Sequence, residues 1–543
     1  MTEQFTRSPE RNDQAKPFLR RFYVRLSLVA VSVVALAGCE NGPSVSSHPS
    51  ATPFLEIPSG FTHQWSEPSH PFTGAAVIDV DGDGRDELFV GGGSGQGDAL
   101  LFFEDGALVN RIAGTGLDDK TGATHGALST DFDLDGDVDL IVARENGVFV
   151  YANDQGRFLS STVALDLPPD SVPLSVAAAD VDKDGDLDLY VSVFVSFPAF
   201  RSATFNDPEH AKKNILLINT GDMTFVDKTA ETQTASLQNT FHSTFVDLDS
   251  DADLDLVLAQ NTGEVEIFAN EGNGTFRSVP TNSGFGFWMG IAVGDIDQDG
   301  DEDLLISNAG NSIPKFLTTG DLREDQRHNI NWGLLRNEGG LSFSDQIGTY
   351  GLDGYGFAWG AVFEDINQDG LLDLLVAQNY IKWPVHKWFP LDGKALLQFE
   401  GEGQEPFVSV ESLGLDNPHF GQSPMIADLN GDGRPDVIWL NMDGPLRAFL
   451  NQGQSRYLTL RFADDHRCQG AKAEVMLADG TLLRRQVIAS TGLLTDQTAT
   501  LFFGLPGTSP VSKVTITSTS GNVSELDGGL ENTTLKVGAA HGC

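Results

Sequence analysis

One short acidic segment of the chain sets four carboxylates at alternate positions around a glycine. Asp180, Asp182, Asp184 and Asp188 occupy its first, third, fifth and ninth positions, and Gly185 occupies the sixth. Calcium takes six to eight oxygen ligands, and a loop that bends sharply at glycine can aim alternate side chains at one cation. Magnesium is less suited because it demands stricter octahedral geometry and tends to keep its waters. The segment therefore predicts a calcium-binding loop.

The same nine-residue pattern occurs seven times, and we number the copies loops one to seven in chain order. Their first, third, fifth and ninth residues are Asp79, Asp81, Asp83 and Glu87; Asp131, Asp133, Asp135 and Asp139; Asp180, Asp182, Asp184 and Asp188; Asp247, Asp249, Asp251 and Asp255; Asp295, Asp297, Asp299 and Asp303; Asp365, Asn367, Asp369 and Asp373; Asp428, Asn430, Asp432 and Asp436. Solvated acidic turns have no reason to keep this alternation or to replace Asp only by another oxygen donor. The pattern predicts up to seven calcium sites.

Three loops depart from the common pattern. Loops six and seven each carry Asn in place of one carboxylate, and Ala252 replaces the sixth-position glycine of loop four. Because a missing charge weakens attraction for a cation, we expect loops six and seven to bind calcium more weakly. We expect loop four to be strained or weaker, because glycine bends at this position without steric cost.

An EF-hand is the main alternative for such loops, and the residue at position 12 argues against it. An EF-hand closes its cage with Glu at that position, between two helices. Here position 12 is apolar in every copy: Val90, Val142, Val191, Leu258, Ile306, Val376 and Trp439.

The residues around each loop predict strands rather than helices. Short apolar runs precede and follow the loops, as in Ala75–Ile78 and Leu140–Val142, and runs of this length bounded by turns are typical of buried strands. Most repeats contain further strands, which gives about four strands per repeat. Four-stranded units of this kind bury their apolar faces by stacking radially as propeller blades. The predicted fold class is all-β, a seven-bladed β-propeller over residues 54–454.

The loop pattern followed by an apolar strand resembles the FG-GAP/VCBS repeat of integrin α-chain propellers and many bacterial surface proteins. The resemblance covers Gly74 to about Asn451. It implies that each quartet binds a structural calcium ion, with the main-chain carbonyl of the seventh residue as a further ligand. Those residues are Arg85, Asp137, Asp186, Asp253, Asp301, Leu371 and Arg434.

The tail, residues 455–543, lacks the acidic loop and resembles the ASPIC/UnbV domain that follows such propellers. The similar segments are Gly470–Val475, Ser490–Leu494, Phe503–Leu505 and Asn532–Leu535. Where that family has a turn like Trp-Pro-Asp-Gly, this chain has Thr517–Gly521, which puts any function of that turn in doubt. The resemblance implies a small β-sandwich-like domain.

The N-terminus has the features of an export signal. Basic residues precede an apolar run from Leu26 to Leu36, and the run ends in a sequence that resembles a bacterial lipobox with Cys39 as the acylated residue. An ordinary signal peptide is the alternative. We interpret residues 1–39 as a lipoprotein signal and residues 40–53 as a flexible tether. The expected location is a bacterial cell envelope, at the outer membrane or in the periplasm.

Net charge and cysteine content limit the remaining classes. A formal net charge of -43 repels nucleic acid and anionic membranes, so contact with a membrane is expected through the lipid anchor alone. With Cys39 acylated, Cys468 and Cys543 can form one disulfide or remain two thiols.

A candidate ligand face lies on the rim opposite the loops. Three long connections, at 192–214, 308–332 and 379–397, join second to third strands and are rich in basic and aromatic residues. The candidate ligand-face residues are Arg201, Lys212, Lys213, Arg327, Trp383, Lys387 and Trp388. They suit a protein or polysaccharide partner; the alternative is that these connections pack on one another as a lid.

Residues just upstream of the first strands fall on the same rim. His125, His242, Trp288, Trp359 and His419 are either a ring that holds a metal or ligand or isolated turn residues.

The sequence favours a binding or adhesion scaffold over an enzyme. The recurring carboxylates are committed to the loops, and no catalytic or phosphate-binding signature stands out. A calcium-stabilised polysaccharide lyase, or another carbohydrate-active enzyme, is the alternative.

Closure of the ring has two solutions. The seventh repeat runs out of strands after Leu446–Asn451. Either Phe54–Phe61 adds the missing outer strand, or Tyr457–Phe462 supplies it.

Overall fold

Short apolar runs bounded by Gly and Asp form strands throughout the computed structural model, which describes residues 54–118, 122–221, 223–379, 392–399, 406–463, 467–538, 541 and 543. Among these residues, helix is limited to one turn at Lys315–Thr318 and 3-10 turns at Phe197–Ala199 and Glu411–Leu413. The protein is all-β. Within the described ranges, no helix is long and apolar enough to span a membrane.

Seven antiparallel sheets contain the acidic loops, and each loop joins the first and second strands of its sheet. In order of pairing, the strands are: sheet 1, Ala75–Ile78, Glu87–Val90, Ala99–Glu104, Ala107–Asn110; sheet 2, Thr124–Thr130, Asp139–Arg144, Gly147–Asp154, Arg157–Val163; sheet 3, Ser171–Ala179, Asp188–Val195, Ile215–Asn219, Phe225–Asp227; sheet 4, Asn239–Val246, Asp255–Gly263, Glu266–Asn270, Phe276–Val279; sheet 5, Ile291–Gly294, Asp303–Ile306, Gly333–Asn337, Phe343–Asp345; sheet 6, Ala358–Glu364, Asp373–Gln378, Lys394–Gln398, Phe407–Ser409; sheet 7, Gly421–Ala427, Asp436–Asn441, Arg447–Asn451, Phe54–Ile57. A short strand, Gly286–Phe287, also pairs with the second strand of sheet 4.

The first strands of these sheets contact one another in a closed cycle. Each first strand packs against that of the next sheet, and the first strand of sheet 7 packs against that of sheet 1. Because both faces of the inner strands are apolar, each neighbouring pair of sheets shares a hydrophobic cluster, and the pair formed by sheets 7 and 1 is no exception. This arrangement is consistent with a β-propeller.

The N-terminal strand closes the cycle. Phe54–Ile57 pairs antiparallel with Arg447–Asn451, from Phe54 opposite Asn451 to Ile57 opposite Ala448. Ile57 is buried in the cluster between sheets 7 and 1. The first of the two predicted solutions is therefore confirmed, and the prediction that Tyr457–Phe462 supplies this strand is wrong. That segment pairs instead with strands of the tail.

The tail forms two sheets of its own around one hydrophobic cluster. Their strands, in order of pairing, are Thr500–Gly504, Tyr457–Phe462 and Thr533–Val537 in sheet 8, and Leu482–Gln486, Lys472–Leu477, Val511–Thr517 and Val523–Asp527 in sheet 9. Cys468 and Cys543 are both buried in this cluster.

A loop of the tail, residues 488–498, lies inside the cycle of first strands. Its short strand Thr495–Asp496 pairs parallel with Ala75–Ala76 of sheet 1, and Gly492 bridges to Ile291 of sheet 5. We call residues 488–498 the inserted loop. The sequence had not predicted this insertion, although Ser490–Leu494 was recognised as similar to a family segment.

Candidate metal centres

The acidic loops share one hydrogen-bonded geometry. In loop two, the Asp131 Oδ2 atom accepts from the main-chain N–H of Gly136 at 3.0 Å, and Oδ1 accepts from that of Asp135 at 3.1 Å. In all seven loops, the first-position carboxylate accepts the N–H of the sixth residue. The first aspartate therefore organises the turn as well as offering oxygens to a cation.

Two positions of every loop adopt the left-handed backbone conformation. The sixth residue has φ between 68° and 103°, and Ala252 in loop four has φ 68°. The fourth residue is also left-handed in each copy: Gly82, Leu134, Lys183, Ser250, Gln298, Gln368 and Gly431. The expected strain at Ala252 is thus present in the backbone, since a Cβ is disfavoured there. The fourth position was missed because its residue types share no chemical feature.

In sheets 1 to 7, the residue at the ninth loop position is the first residue of the second strand. Its carboxylate links the loop to the strands. The Asp139 Oδ2 atom accepts from Phe132 N at 2.9 Å, and Oδ1 accepts from Asn153 N at 2.7 Å. The second residue of each loop makes the corresponding bond. These carboxylates are buried, and they hold the loop to the strands through main-chain hydrogen bonds.

Burial raises the pKa of the ninth-position carboxyls. It raises the pKa of Asp139 to about 7 and that of Glu87, Asp188, Asp255 and Asp303 to about 8, against which main-chain hydrogen bonds act in the opposite direction. The pKa values of Asp373 and Asp436 also lie well above the usual range for the same reason. Negative charge in these loops is thus costly unless a cation balances it.

Loops one to five each bring three carboxylates together. One oxygen from each of the three lies within 4.8 Å of the other two. The groups are Asp79, Asp81 and Glu87; Asp131, Asp133 and Asp139; Asp180, Asp182 and Asp188; Asp247, Asp249 and Asp251; Asp295, Asp297 and Asp299. Buried Oδ1 atoms of Asp79, Asp182, Asp249 and Asp297 have no hydrogen-bond partner in the described chain. Clustered carboxylate oxygens without donors suit a hard cation.

Loops six and seven differ at the third position. The Asn367 side chain donates through Nδ2 to Asp369 Oδ2 at 3.0 Å, and its Oδ1 accepts from Asp369 N at 2.9 Å. Asn430 makes the same pair of bonds to Asp432. Among the described residues, neither loop contains a three-carboxylate group of the kind seen in loops one to five. In this geometry, the side-chain N–H group of the third residue points at the fifth-position carboxylate, which a calcium ion would need as a ligand.

An amide side chain at the end of the third strand links neighbouring sheets through these loops. Asn270 of sheet 4 donates through Nδ2 to the Val181 carbonyl in loop three at 3.0 Å, and Asn337 of sheet 5 donates to Leu248 in loop four at 2.7 Å. Asn153, Gln398 and Asn451 make the same contact to the preceding loop. Asn153, Asn270, Asn337 and Asn451 recur at or beside the ends of third strands. That recurrence was the signal in the sequence from which this contact could have been predicted.

The tail covers the side of the sheets that carries the acidic loops. The Lys472 Nζ atom lies 3.0 Å from Asp247 Oδ2 in loop four, and Gly504 N donates to Asp365 Oδ2 in loop six at 3.0 Å. Arg461 pairs with Asp86, which follows the seventh residue of loop one, at 2.6 Å. Basic side chains of the tail therefore offset part of the negative charge of the loops.

The inserted loop contacts the first strands through polar and apolar groups. Asp496, fully buried, accepts through Oδ2 from the Ser129 main-chain N–H at 2.7 Å and from its hydroxyl at 2.8 Å. His242 contacts the inserted loop at Ser490 O and Leu494 N. Leu493 and Leu494 pack in one cluster with Phe241 and Trp359.

The residues that the sequence placed just upstream of the first strands do not form an open ring, and three of them, His125, His242 and Trp359, lie within those strands. His125, His242, Trp288 and Trp359 are buried, and His419 is half-buried. Trp288 and Trp359 donate their indole N–H groups to the carbonyls of Gly284 and Asn379. His125 and His242 lie in strands, so the interpretation as turn residues is wrong for them.

The candidate ligand-face residues are found in different settings. Arg201 is largely exposed and lies 3.7 Å from Asp207, and Lys213 is partly exposed and lies 3.8 Å from Asp227. Arg327 donates to the carbonyl of Asn282. Trp383, Lys387 and Trp388 lie outside the described residues.

Lys212 is buried, so it does not present its charge to a ligand. Its ammonium group donates to the carbonyls of Pro169 at 3.1 Å and Glu209 at 2.9 Å. Two of the long connections also pack on each other, because Asp321 accepts from the main-chain N–H groups of Phe205 and Asn206. The connections 192–214 and 308–332 therefore contact each other, as the lid interpretation expects.

Comparison with known proteins gives matches to parts of the chain. Residues 131–191 and 247–306 match the FG-GAP-like repeat family. A stretch of 68 residues is 37% identical to cartilage acidic protein 1 of Mus musculus and covers 12% of this chain and 10% of that protein. The chain thus spans about a tenth of the length of this relative.

Two solved structures align with part of this chain. They are the crystal structures of BBS1N in complex with ARL6DN, soaked with mercury or with lead. TM-scores are 0.44 and 0.41, identities are 9% and 10%, and each alignment covers 74% of this chain and 98% or 99% of the other. The strand pairing and the family match agree that this chain contains FG-GAP-like repeats.

Proposed function

We propose that the chain is a calcium-stabilised, seven-bladed β-propeller that acts as a binding or adhesion scaffold. The observation that carries the calcium assignment is the set of three-carboxylate groups in loops one to five, four of which contain a buried oxygen that lacks a donor. The side chains of the quartets and the seventh-residue carbonyls would hold the ions. The seven cyclically packed sheets would be the blades, and sheets 8 and 9 the ASPIC/UnbV-like domain.

Isothermal titration with calcium tests the metal assignment and its ranking. Asp131→Ala removes the first ligand of a loop with a complete quartet, and Asp365→Ala removes that of an Asn-containing loop. We expect the first variant to lose one tight site and the second to lose a weaker one. Equal losses would contradict the ranking, and a wild-type protein that takes up no calcium would contradict the assignment.

The proposed location is the bacterial cell envelope, with the lipid on Cys39. Support comes from the sequence, because residues 1–53 lie outside the described part of the chain. The strand Phe54–Ile57 enters sheet 7 beside Asn451, on the side that carries the loops and the tail. Metabolic labelling with radioactive palmitate would test the anchor, with Cys39→Ser as the control that should lose the label.

We place partner binding on the rim opposite the tail. The turn Lys315–Thr318 of this rim exposes Phe316 and Leu317, whose exposed fractions are 78% and 51%. Exposed apolar side chains beside basic residues suit a protein or an acidic polysaccharide.

Surface plasmon resonance with alginate and polygalacturonate tests the polysaccharide case. We expect binding that falls in the double variant Phe316→Ser, Leu317→Ser. The matched control is Leu159→Ser, which changes a leucine that is 76% exposed on the outer strand of sheet 2. Equal binding by all three proteins would place the partner elsewhere, and shortening of the polymer during the assay would favour the lyase alternative.

A further inference from the structure

A cavity of about 320 Å³ lies between the tail and loops one and two. The charged residues on its propeller side are Asp79, Asp86, Asp131 and Asp137, and those on its tail side are Arg461, Arg467 and Lys536. This volume is at the lower end of the range of about 300–1,000 Å³ for small-molecule sites. The two walls thus oppose carboxylates and cations across a space that could accept a compact ligand.

Arg461 is the lining residue on which the assignment of a ligand depends. The residue is only 8% exposed, and its Nη1 atom lies 2.6 Å from Asp86 Oδ1. Its Nη2 atom is 3.9 Å from Asp428 Oδ2, an ion-pair distance that is too long for a hydrogen bond. Among the described residues, Nε and Nη2 have no hydrogen-bond partner. Buried guanidinium donors without acceptors are uncommon and favour a ligand that supplies oxygens.

The charge of the cavity depends on whether the loops hold calcium, so this inference rests on the proposed function. Without calcium, the carboxylates of Asp79 and Asp131 face the cavity and oppose an anion. With calcium in loops one and two, part of this negative charge is offset, and Arg461 retains Asp86 as its close counter-ion. The exposed side chain of Lys536 adds positive charge to the tail wall.

We propose that this cavity binds a compact anion, a carboxylate or a phosphate ester, when loops one and two hold calcium. Both groups present the paired oxygens that a guanidinium recognises through two parallel hydrogen bonds. Lys536, an exposed residue of the lining, adds a point charge. The same ions that stabilise the loops would thereby switch on binding at the boundary between sheets 1 and 2 and the tail.

Isothermal titration with three sugars tests this proposal. D-galacturonate carries a carboxylate, glucose 6-phosphate carries a phosphate ester, and D-galactose is the uncharged control. In excess calcium, we expect at least one of the acids to bind and D-galactose not to bind. After EGTA treatment, the affinity for that acid should fall about tenfold or more, because the carboxylates of Asp79 and Asp131 then repel the anion. The acid that binds shows whether the site prefers a carboxylate or a phosphate ester.

Variants of the tail wall localise the site. Arg461→Lys keeps a charge for Asp86 and removes the fork, and Lys536→Gln changes an exposed side chain; each should weaken acid binding several-fold. Lys513→Gln, an exposed tail lysine paired with Glu525, is the matched control and should bind normally. Absence of acid binding, equal binding of D-galactose, or binding independent of calcium would overturn the proposal. The calcium titration on the same protein separates this failure from a failure of the metal assignment.

Discussion

In the acidic loops, the residues with a left-handed backbone are not the residues whose side chains offer oxygens to a cation. Ala252 adopts φ 68°, in the left-handed region but below the 78° to 103° of the glycines in the other six loops. Hydrogen bonding in loop four is nevertheless preserved, with Ala252 N donating to Asp247 Oδ2 at 3.3 Å. Loop four therefore keeps the main-chain hydrogen bond to its first aspartate, and the Cβ atom of Ala252 adds a local steric cost.

A reciprocal pair of substitutions measures that cost. We expect Ala252→Gly to stabilise the protein by about 1 kcal/mol and Gly136→Ala in loop two to destabilise it by about the same amount. Gly136 has open space where a Cβ would be placed, so its substitution tests backbone strain without a clash. Denaturant unfolding monitors both variants. Loss of stability in Ala252→Gly would contradict the account.

The buried carboxyls predict a pH dependence with a definite sign. With pKa values raised to about 7 or 8, the ninth-position carboxyls bind more protons in the folded protein than in the unfolded chain. Stability of the calcium-free protein must then fall as pH rises toward 8. Burial lowers the pKa of His63, His70 and His242 to about 4 and that of His125 to about 3, which acts oppositely below about pH 6.5.

The clean window for this test is therefore pH 6.5 to 8. We expect the melting temperature of the calcium-free protein to fall across it. In saturating calcium the fall should be smaller, since bound metal favours deprotonated ligands. A melting temperature that rises or stays constant without calcium would show that these carboxyls titrate in their ordinary range.

At the level of elements, the sheets are joined by a repeated side-chain contact as well as by apolar packing. Asn270 donates to Val181 in the preceding loop and accepts from Gly272 in its own turn. Asn270→Ala leaves the Val181 carbonyl without this donor, and such losses cost about 1–3 kcal/mol. We expect a loss of this size by thermal or denaturant unfolding. Asn273→Ala, three residues away in the exposed turn, is the control and should cost less.

The N-terminal strand Phe54–Ile57, which we call the clasp, leads to a second prediction at this scale. Phe54–Ile57 completes sheet 7, and its Glu56 pairs with Arg447 at 2.8 Å. Deletion of residues 40–61 would expose the edge of the third strand and remove Ile57 and Phe61 from the core. We expect a large drop in melting temperature, whereas deletion of residues 40–53 alone should leave it nearly unchanged. Similar behaviour of the two deletions would contradict the role of the clasp.

The elements differ in how far the sequence could predict them. Loops and flanking strands repeat with local spacing, so their pattern was sufficient to predict four-stranded units and the strands beside Asp79 or Asp295. The clasp could be expected because an unpaired sheet edge is costly. The link from Asn337 to Leu248 could not, because it joins residues of two repeats and leaves only one amide as its signal.

For the whole molecule, the tail is the least predictable part. Asp496 bonds to Ser129, and Leu493 bonds to Gln422 and Ser423, across hundreds or tens of residues of chain. Such contacts have no local period, so Ser490–Leu494 gave no sign that it enters the cycle of first strands. The lysine and arginine side chains of the tail meet the acidic loops for the same long-range reason. The tail and the sheets are thus joined both through the cycle and over its loop side.

The central claim is that calcium stabilises this arrangement, and thermal unfolding tests it most directly. A ligand that binds only the folded state stabilises it by about 2.7 kcal/mol per site at a hundredfold excess over its dissociation constant. The protein should be stripped with EGTA and unfolded in EGTA, in excess calcium and in excess magnesium. We predict a melting temperature that rises markedly in calcium, rises little in magnesium and returns to its low value when EGTA is added again. A melting temperature that is the same in all three conditions would contradict the account.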